Sequence, residues 1–405
     1  MMAYRMMLRA FALIALLNLY ACSTTDNSAP PAELTELENA EFVKLLWSTD
    51  SGKGFVKKFM DIQPLVIGKR FFTIDTLGVI DELDIRTGKK RWEFATGLSA
   101  AAGPGGDESG IVATSRDGDV AFYDFAERGL KLRWKQTLKS EIRTRPVVDG
   151  GQVFVRTVDG ELTVLDAAKG NILWNVSRRV PSLSLTGSSF PVITKDLVIG
   201  GFDNGKLVAF SRDNGSTVWE HTVSAPRGRS EIERLVDIDG QFLLRDNVIY
   251  VSSFQGNLIA ITLNSGQVLW SRKFSSYKAI EADDDALYLT DDRSNVWSID
   301  RRTGSAFWKQ DALHDRKLTA PRLIGDKLVV ADLDGYVHFL KKSDGALVAR
   351  IKPSEIRFIS QPTVIGKLVL VNDMSGQVFG LSQNRNAVSL KDDDLDVQKV
   401  FNLNE

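Results

Sequence analysis

One unit recurs eight times along this 405-residue chain, and its recurrence constrains the fold more than any other feature. Its marker is a turn residue that opens a strand: Gly78, Gly118, Gly160, Gly205, Gly256, Ser294 (in the glycine slot), Gly335 and Gly376. The spacings are 40, 42, 45, 51, 38, 41 and 41 residues. Two places after each marker stand Ile80, Val120, Leu162, Leu207, Leu258, Val296, Val337 and Val378. Five places after it stand Leu83, Tyr123, Leu165, Phe210, Ile261, Ile299, Leu340 and Leu381. Every one of these positions is apolar. A unit this short cannot bury an apolar face alone, so it must stack on its neighbours.

A second apolar run precedes each marker, as in QVFVRTVDG, KLVVADLDG and KLVLVNDMSG. Short β-branched runs bounded by Gly, Asp and Asn are strands joined by hairpin turns. Pro64, Pro146, Pro191, Pro321 and Pro362 stand just ahead of such runs, where a strand tolerates a residue with no amide donor. Gly88, Gly170, Gly215, Gly266, Gly304 and Gly345 close the turn into the last strand, and Trp92, Trp134, Trp174, Trp219, Trp270 and Trp308 follow on it. A Trp there can lie in the wedge between two units, its ring buried and its N–H on a backbone acceptor. Ala349 occupies the last such slot, which predicts one wedge packed differently. Four strands in about 40 residues make a β-propeller blade. Leu45-Leu46-Trp47 is a Trp strand with no unit before it, and the unit at Gly376 has no Trp strand after it. Joined, they complete an eighth blade and remove the open edges of an unclosed ring. The reading is an all-β, eight-bladed propeller of four-stranded antiparallel blades over 41–405.

The amino terminus is different material. MMAYRMMLR carries two positive charges and no acid, and AFALIALLNLYA follows as 12 mostly apolar residues, too few to span a bilayer. Residues 1–21 therefore read as a secretory signal. Cys22 is the single cysteine, so it forms no internal disulfide. Leu19-Tyr20-Ala21-Cys22 resembles a bacterial lipobox, which implies cleavage before Cys22 and its acylation. More than one acyl chain makes a stable anchor where one does not. Residues 23–40, small, polar and proline-containing, read with Cys22 as a flexible tether of at most about 60 Å. Ser23 after the cysteine favours sorting to the outer membrane. Loss of Arg5 and Arg9 leaves 49 basic against 52 acidic residues, a net of −3. Nucleic acid is thereby a poor partner, since phosphate binding needs concentrated positive charge.

Leu83-Asp84-Ile85-Arg86-Thr87-Gly88-Lys89-Lys90-Arg91-Trp92 resembles the tryptophan-docking repeat of quinoprotein-like propellers. With the lipobox, the eight repeats, Pro181-Ser182-Leu183-Ser184-Leu185 and APRGRSEIERLVDID (225–239), the chain is similar to the BamB family of outer-membrane protein assembly factors. The resemblance implies a periplasmic propeller anchored in the outer membrane and docked on the POTRA domains of BamA, beside the other Bam subunits. Unfolded outer-membrane proteins would be its clients. It places Leu183, Leu185, Asp237, Asp239 and Arg227 at the partner surface, with Thr186 where familiar members carry a basic residue.

The spacings support a surface there. The widest two, 45 and 51, place extra residues after Trp174 and after Trp219, at the same blade-to-blade junction of the unit and on one rim. Loops on a rigid scaffold are common binding sites, although self-packed loops are the alternative. Leu183 and Leu185 among small residues, beside Arg227, Arg229, Arg234, Glu231, Glu233, Asp237 and Asp239, suit a protein interface.

Chemistry is the competing class. A dehydrogenase on this fold holds a quinone between aromatics and calcium on acidic and amide oxygens. Seven of the eight Trp sit in the repeat slot, leaving Trp297, which reads as core, and there is no Cys-Cys pair. His221, His314 and His338 lack metal-ligand spacing and read as packing or solvated groups. Gly103-Pro104-Gly105-Gly106 lacks the strand–helix setting of a phosphate loop and reads as a flexible connection. Asp283-Asp284-Asp285 reads as an acidic turn rather than a calcium site. The expectation is a non-enzyme with no cofactor, metal or small-molecule substrate. A propeller holding a small ligand in its channel is the remaining alternative.

Overall fold

The protein is described by a computed structural model, in which residues 29–54, 62–181, 183, 189–226, 229–230 and 233–383 are described. These residues contain 32 β-strands and no helix, arranged in eight four-stranded antiparallel sheets. Blades 1 to 7 each use four consecutive strands, covering 65–95, 105–137, 147–177, 192–222, 243–273, 281–310 and 322–351. The eighth joins three strands between Thr363 and Ser382 to Lys44–Asp50 from the other end of the chain. Lys44 lies opposite Ser382 and Asp50 opposite Gln377, so the termini close the ring as the unpaired Trp strand predicts.

Within each blade the two middle strands are buried and the fourth faces water on one side. Glu161–Asp166, for example, has its four central residues buried, whereas Ile172–Ser177 buries only Trp174. Trp134, Trp174, Trp219, Trp270 and Trp308 donate their indole N–H to the main-chain oxygens of Ala167, Arg212, Leu263, Arg301 and Lys342 in the following blade, at 2.8–3.0 Å. Each ring lies against the turn glycine of that blade. At Gly215, φ is +72° and an added Cβ would stand 2.6 Å from Trp174 Cε3, so glycine serves both the turn and the seat. Trp92 faces a longer hairpin, where Asp119–Ala126 pairs with Gly129–Thr137 and no such glycine seat exists. The wedge at Ala349 is filled otherwise: Ala349 is fully buried in a cluster that includes Phe339, Phe358 and Phe379, with Val43 and Val348 packed against it.

Two expectations need correction. Gly105–Asp107 is the innermost strand of blade 2, not a flexible connection. A Cβ on Gly103 would stand 2.1 Å from the Gln63 oxygen and one on Gly105 2.0 Å from the Pro146 oxygen. The glycines are there because backbones crowd at the inner rim. The tether, expected free to residue 40, is bound to the body from Ala32 onward. The tether's polar composition conceals carbonyls that arginines of blade 7 can take.

Candidate functional site

The two insertions are the connections 178–191 and 223–242, which leave at the equivalent point of successive blades, 3 to 4 and 4 to 5. In a blade of four alternating strands, all such connections emerge on one rim, so the two loops are neighbours. They are also bonded together: Ser189 Oγ donates to the Ile238 oxygen at 3.0 Å, and the Phe190 amide donates to Gln241 Oε1 at 3.1 Å.

The second loop divides into a root and a tip. Leu235, Val236, Ile238 and Phe242 are buried. Arg229, Ser230, Glu233 and Arg234 are exposed, with the Glu233 carboxylate accepting from the Arg229 and Ser230 amides at 2.7 and 3.2 Å. These two bonds hold its carboxyl below the usual range. Self-packing and display thus occur in one loop.

Of the residues assigned to a partner surface, Leu183 is 42% exposed, which is high for a leucine in a described loop. Leu185 and Arg227 lie outside the described residues, as does Cys22. Asp237 departs from expectation. It is 0% exposed, carried inward between Val236 and Ile238, so a surface ion pair does not fit it in this state. Asp239 is half-buried as a residue, yet both carboxylate oxygens are enclosed and have no hydrogen-bond partner. Burial, then the adjacent charges of Asp237 and Asp203, push its carboxyl well above the ordinary range, against the pull of Arg156. Arg156 is itself buried and bonded to Asp203 at 2.5 Å across blades 3 and 4. The two loops therefore combine an exposed leucine with enclosed carboxyls, of which Asp239 has no hydrogen-bond donor.

Sequence reasoning missed apolar side chains at the other end of the outer strands, toward the rim opposite the two loops. Ile172, Leu173 and Val218, on the outer strands of blades 3 and 4, are 46, 49 and 50% exposed. For Leu173 and Val218 the signal was available, because a residue next to a buried Trp on a strand points to the other face. For Ile172 it was not, since the register shift there breaks the alternation. Arg156 and Asp203 carried no such signal, being 47 positions apart.

A family model described as outer membrane protein assembly factor BamB matches residues 76–310. A relative of that name from Bordetella pertussis is 32% identical over 379 residues, covering 93% of this chain and 97% of its own. The chain belongs to the BamB family. The crystal structure of BamB from Moraxella catarrhalis superimposes with a TM-score of 0.76 at 25% identity, covering 84% of this chain and all of that one. A quinohemoprotein alcohol dehydrogenase from Comamonas testosteroni shares the fold alone, with a TM-score of 0.68 at 13% identity, covering 87% of this chain and 78% of that one.

Beside the BamB relatives, the positions weighed for chemistry have structural roles. His338 is fully buried, with Nε2 2.9 Å from Asp332 Oδ2, and burial lowers its pKa. His314 is exposed. Trp297 packs beside the blade 5–6 core and donates to Asp291 Oδ2 at 2.9 Å. Asp283 caps its own turn, accepting from the Asp285 and Ala286 amides at 3.0 and 2.9 Å, and pairs with Lys342 at 2.7 Å. Among the described residues no group of three or more His, Cys, Asp or Glu is arranged to hold a metal ion.

Proposed function

We propose that this chain is a non-catalytic scaffold subunit of the outer-membrane β-barrel assembly machinery, anchored through lipid on Cys22, with the rim of blades 3 to 5 docked on the POTRA domains of BamA. In that role it assists folding and insertion of outer-membrane proteins. The observation that carries the docking reading is an exposed leucine, Leu183, displayed on a rim loop that is hydrogen-bonded to the neighbouring long loop through Ser189 and Phe190. An exposed leucine anchor with polar and charged residues around it suits the centre and rim of an interface. Membership of a family named for assembly, rather than for catalysis, supports the same reading.

The test is co-purification with BamA from solubilised envelopes. Leu183→Ala with Leu185→Ala is expected to weaken capture by about thirty-fold, corresponding to roughly 2 kcal/mol for one central anchor. Asp283→Ala with Asp284→Ala, on blade 6, is expected to leave capture intact. Normal BamA capture by a folded leucine double variant would refute this assignment of the docking surface.

A further inference from the structure

The route of the chain into the propeller limits how the body can sit relative to a membrane. Residues 32–43 run along blade 7 as a strap before entering the strand Lys44–Asp50. The Ala32 amide donates to the His314 oxygen at 3.0 Å, and Arg316 Nη1 donates to the Ala32 oxygen at 2.9 Å. Farther on, Arg350 Nη1 donates to the Thr35 oxygen at 3.0 Å, Leu34 packs on the cluster containing Leu313 and Leu318, and the Glu41 amide donates to the Val348 oxygen at 2.7 Å.

The groups that hold the strap are themselves fixed. Arg316 is buried and also bonds Asp332 and Asp334, both at 2.7 Å. Arg350 donates from Nε to His338 Nδ1 at 3.3 Å, and His338 is seated on the same Asp332. A strap held by a buried network that would lose its own partners on release is a built attachment, not an incidental contact.

The strap begins at the connection 311–321 between blades 6 and 7, so it enters on the rim that carries the two long loops. Ala32 stands only ten positions after Cys22, a stretch that spans at most about 35 Å. We propose that the strap tethers the propeller to the membrane by its loop-bearing rim, whose blade 6–7 junction is held within that distance of the lipid surface. This rests on Cys22 being the lipid anchor. Its consequence is that the loop-bearing rim lies on average nearer the bilayer than the opposite rim, which is a strand's length farther from the point of attachment.

The experiment uses the full lipidated protein in phospholipid vesicles that carry an energy-transfer acceptor on a fraction of the lipid headgroups. A donor fluorophore is placed on Ala312→Cys, exposed on the loop rim, or on Asp326→Cys, on the opposite rim of blade 7 with its side chain 82% exposed. Flotation comes first: protein that does not float with the vesicles refutes the anchor, independently of orientation. For floating protein, the rims are separated by strands of about 17–20 Å, so transfer from position 312 is expected to be roughly twice that from 326. Inserting ten Gly/Ser residues after residue 27 leaves the propeller untouched and is expected to reduce transfer from 312. Arg350→Ala, which removes the bond to Thr35, should act in the same direction. Equal or reversed transfer from the two rims, or transfer unmoved by the insertion, would overturn the inference.

Discussion

At the scale of single residues, the Asp239 carboxyl is the feature with the clearest cost. Burial and two acidic neighbours raise its pKa, so the folded state keeps a proton that the unfolded chain releases above its ordinary pKa of 3.8. The folded state is then penalised progressively as pH rises from about 4 through the folded pKa, since the unfolded form gains by ionising and the folded form does not. Asp239→Asn removes the ionisation, and is expected to raise the unfolding temperature at pH 8 and have little effect near pH 4. The same change should leave BamA capture intact, because both carboxyl oxygens are enclosed and out of a partner's reach. A variant less stable at pH 8 would show that Asp239 is already satisfied in the free protein.

Between elements, the stability of the ring resides in its wedges, where each Trp locks onto the next blade. The indole hydrogen bond and the glycine seat are inseparable, because the ring lies where a side chain on that glycine would begin. Gly215→Ala meets both a strained φ and the Trp174 ring, and is expected to cost about 2–4 kcal/mol in urea unfolding. Gly151, also at positive φ but with open space around its Cβ position, is the control. Gly151→Ala carries only the backbone strain, roughly 1 kcal/mol. Equal losses from the two variants would show that the seat contributes nothing. Blade 7 shows that the wedge tolerates another solution, with Ala349 surrounded by phenylalanines and closed over by Val43.

For the whole molecule, closure couples the two ends of the chain. Trp47 belongs to the N-terminal strand, yet its ring meets Gly88 of blade 1 and Gly380 of the last strand. Trp47→Ala is expected to destabilise the ring by about 3 kcal/mol. In hydrogen exchange, amides of Gln377–Ser382 and Lys44–Asp50 should lose protection together, ahead of those in blades 3 to 5, because the closing blade alone is held across a chain break. Uniform loss around the ring would mean that closure carries no special share of the stability.

The repeat, read by itself, specified the blade, the number of blades, the Trp wedges and the joining of the termini. Those depend on local patterning and on each unit needing neighbours, and both are written in residues a few positions apart. The rim loops and the strap were another matter. Leu183 stood out because a leucine between small residues reads as exposed, and it is. Asp237 did not, because the depth of a carboxylate depends on which blades enclose it, and Val236 and Ile238 reveal that only once packed. Gly103 and Gly105 looked like slack until backbones from adjacent blades were placed beside them. Residues 32–41, polar and proline-flanked, read as free chain because nothing local shows that Arg316 and Arg350, nearly 300 or more positions away, complete their hydrogen bonds. Contacts between residues distant in sequence are set by the closed ring, so only the tertiary structure decided which polar groups are buried and which are bound.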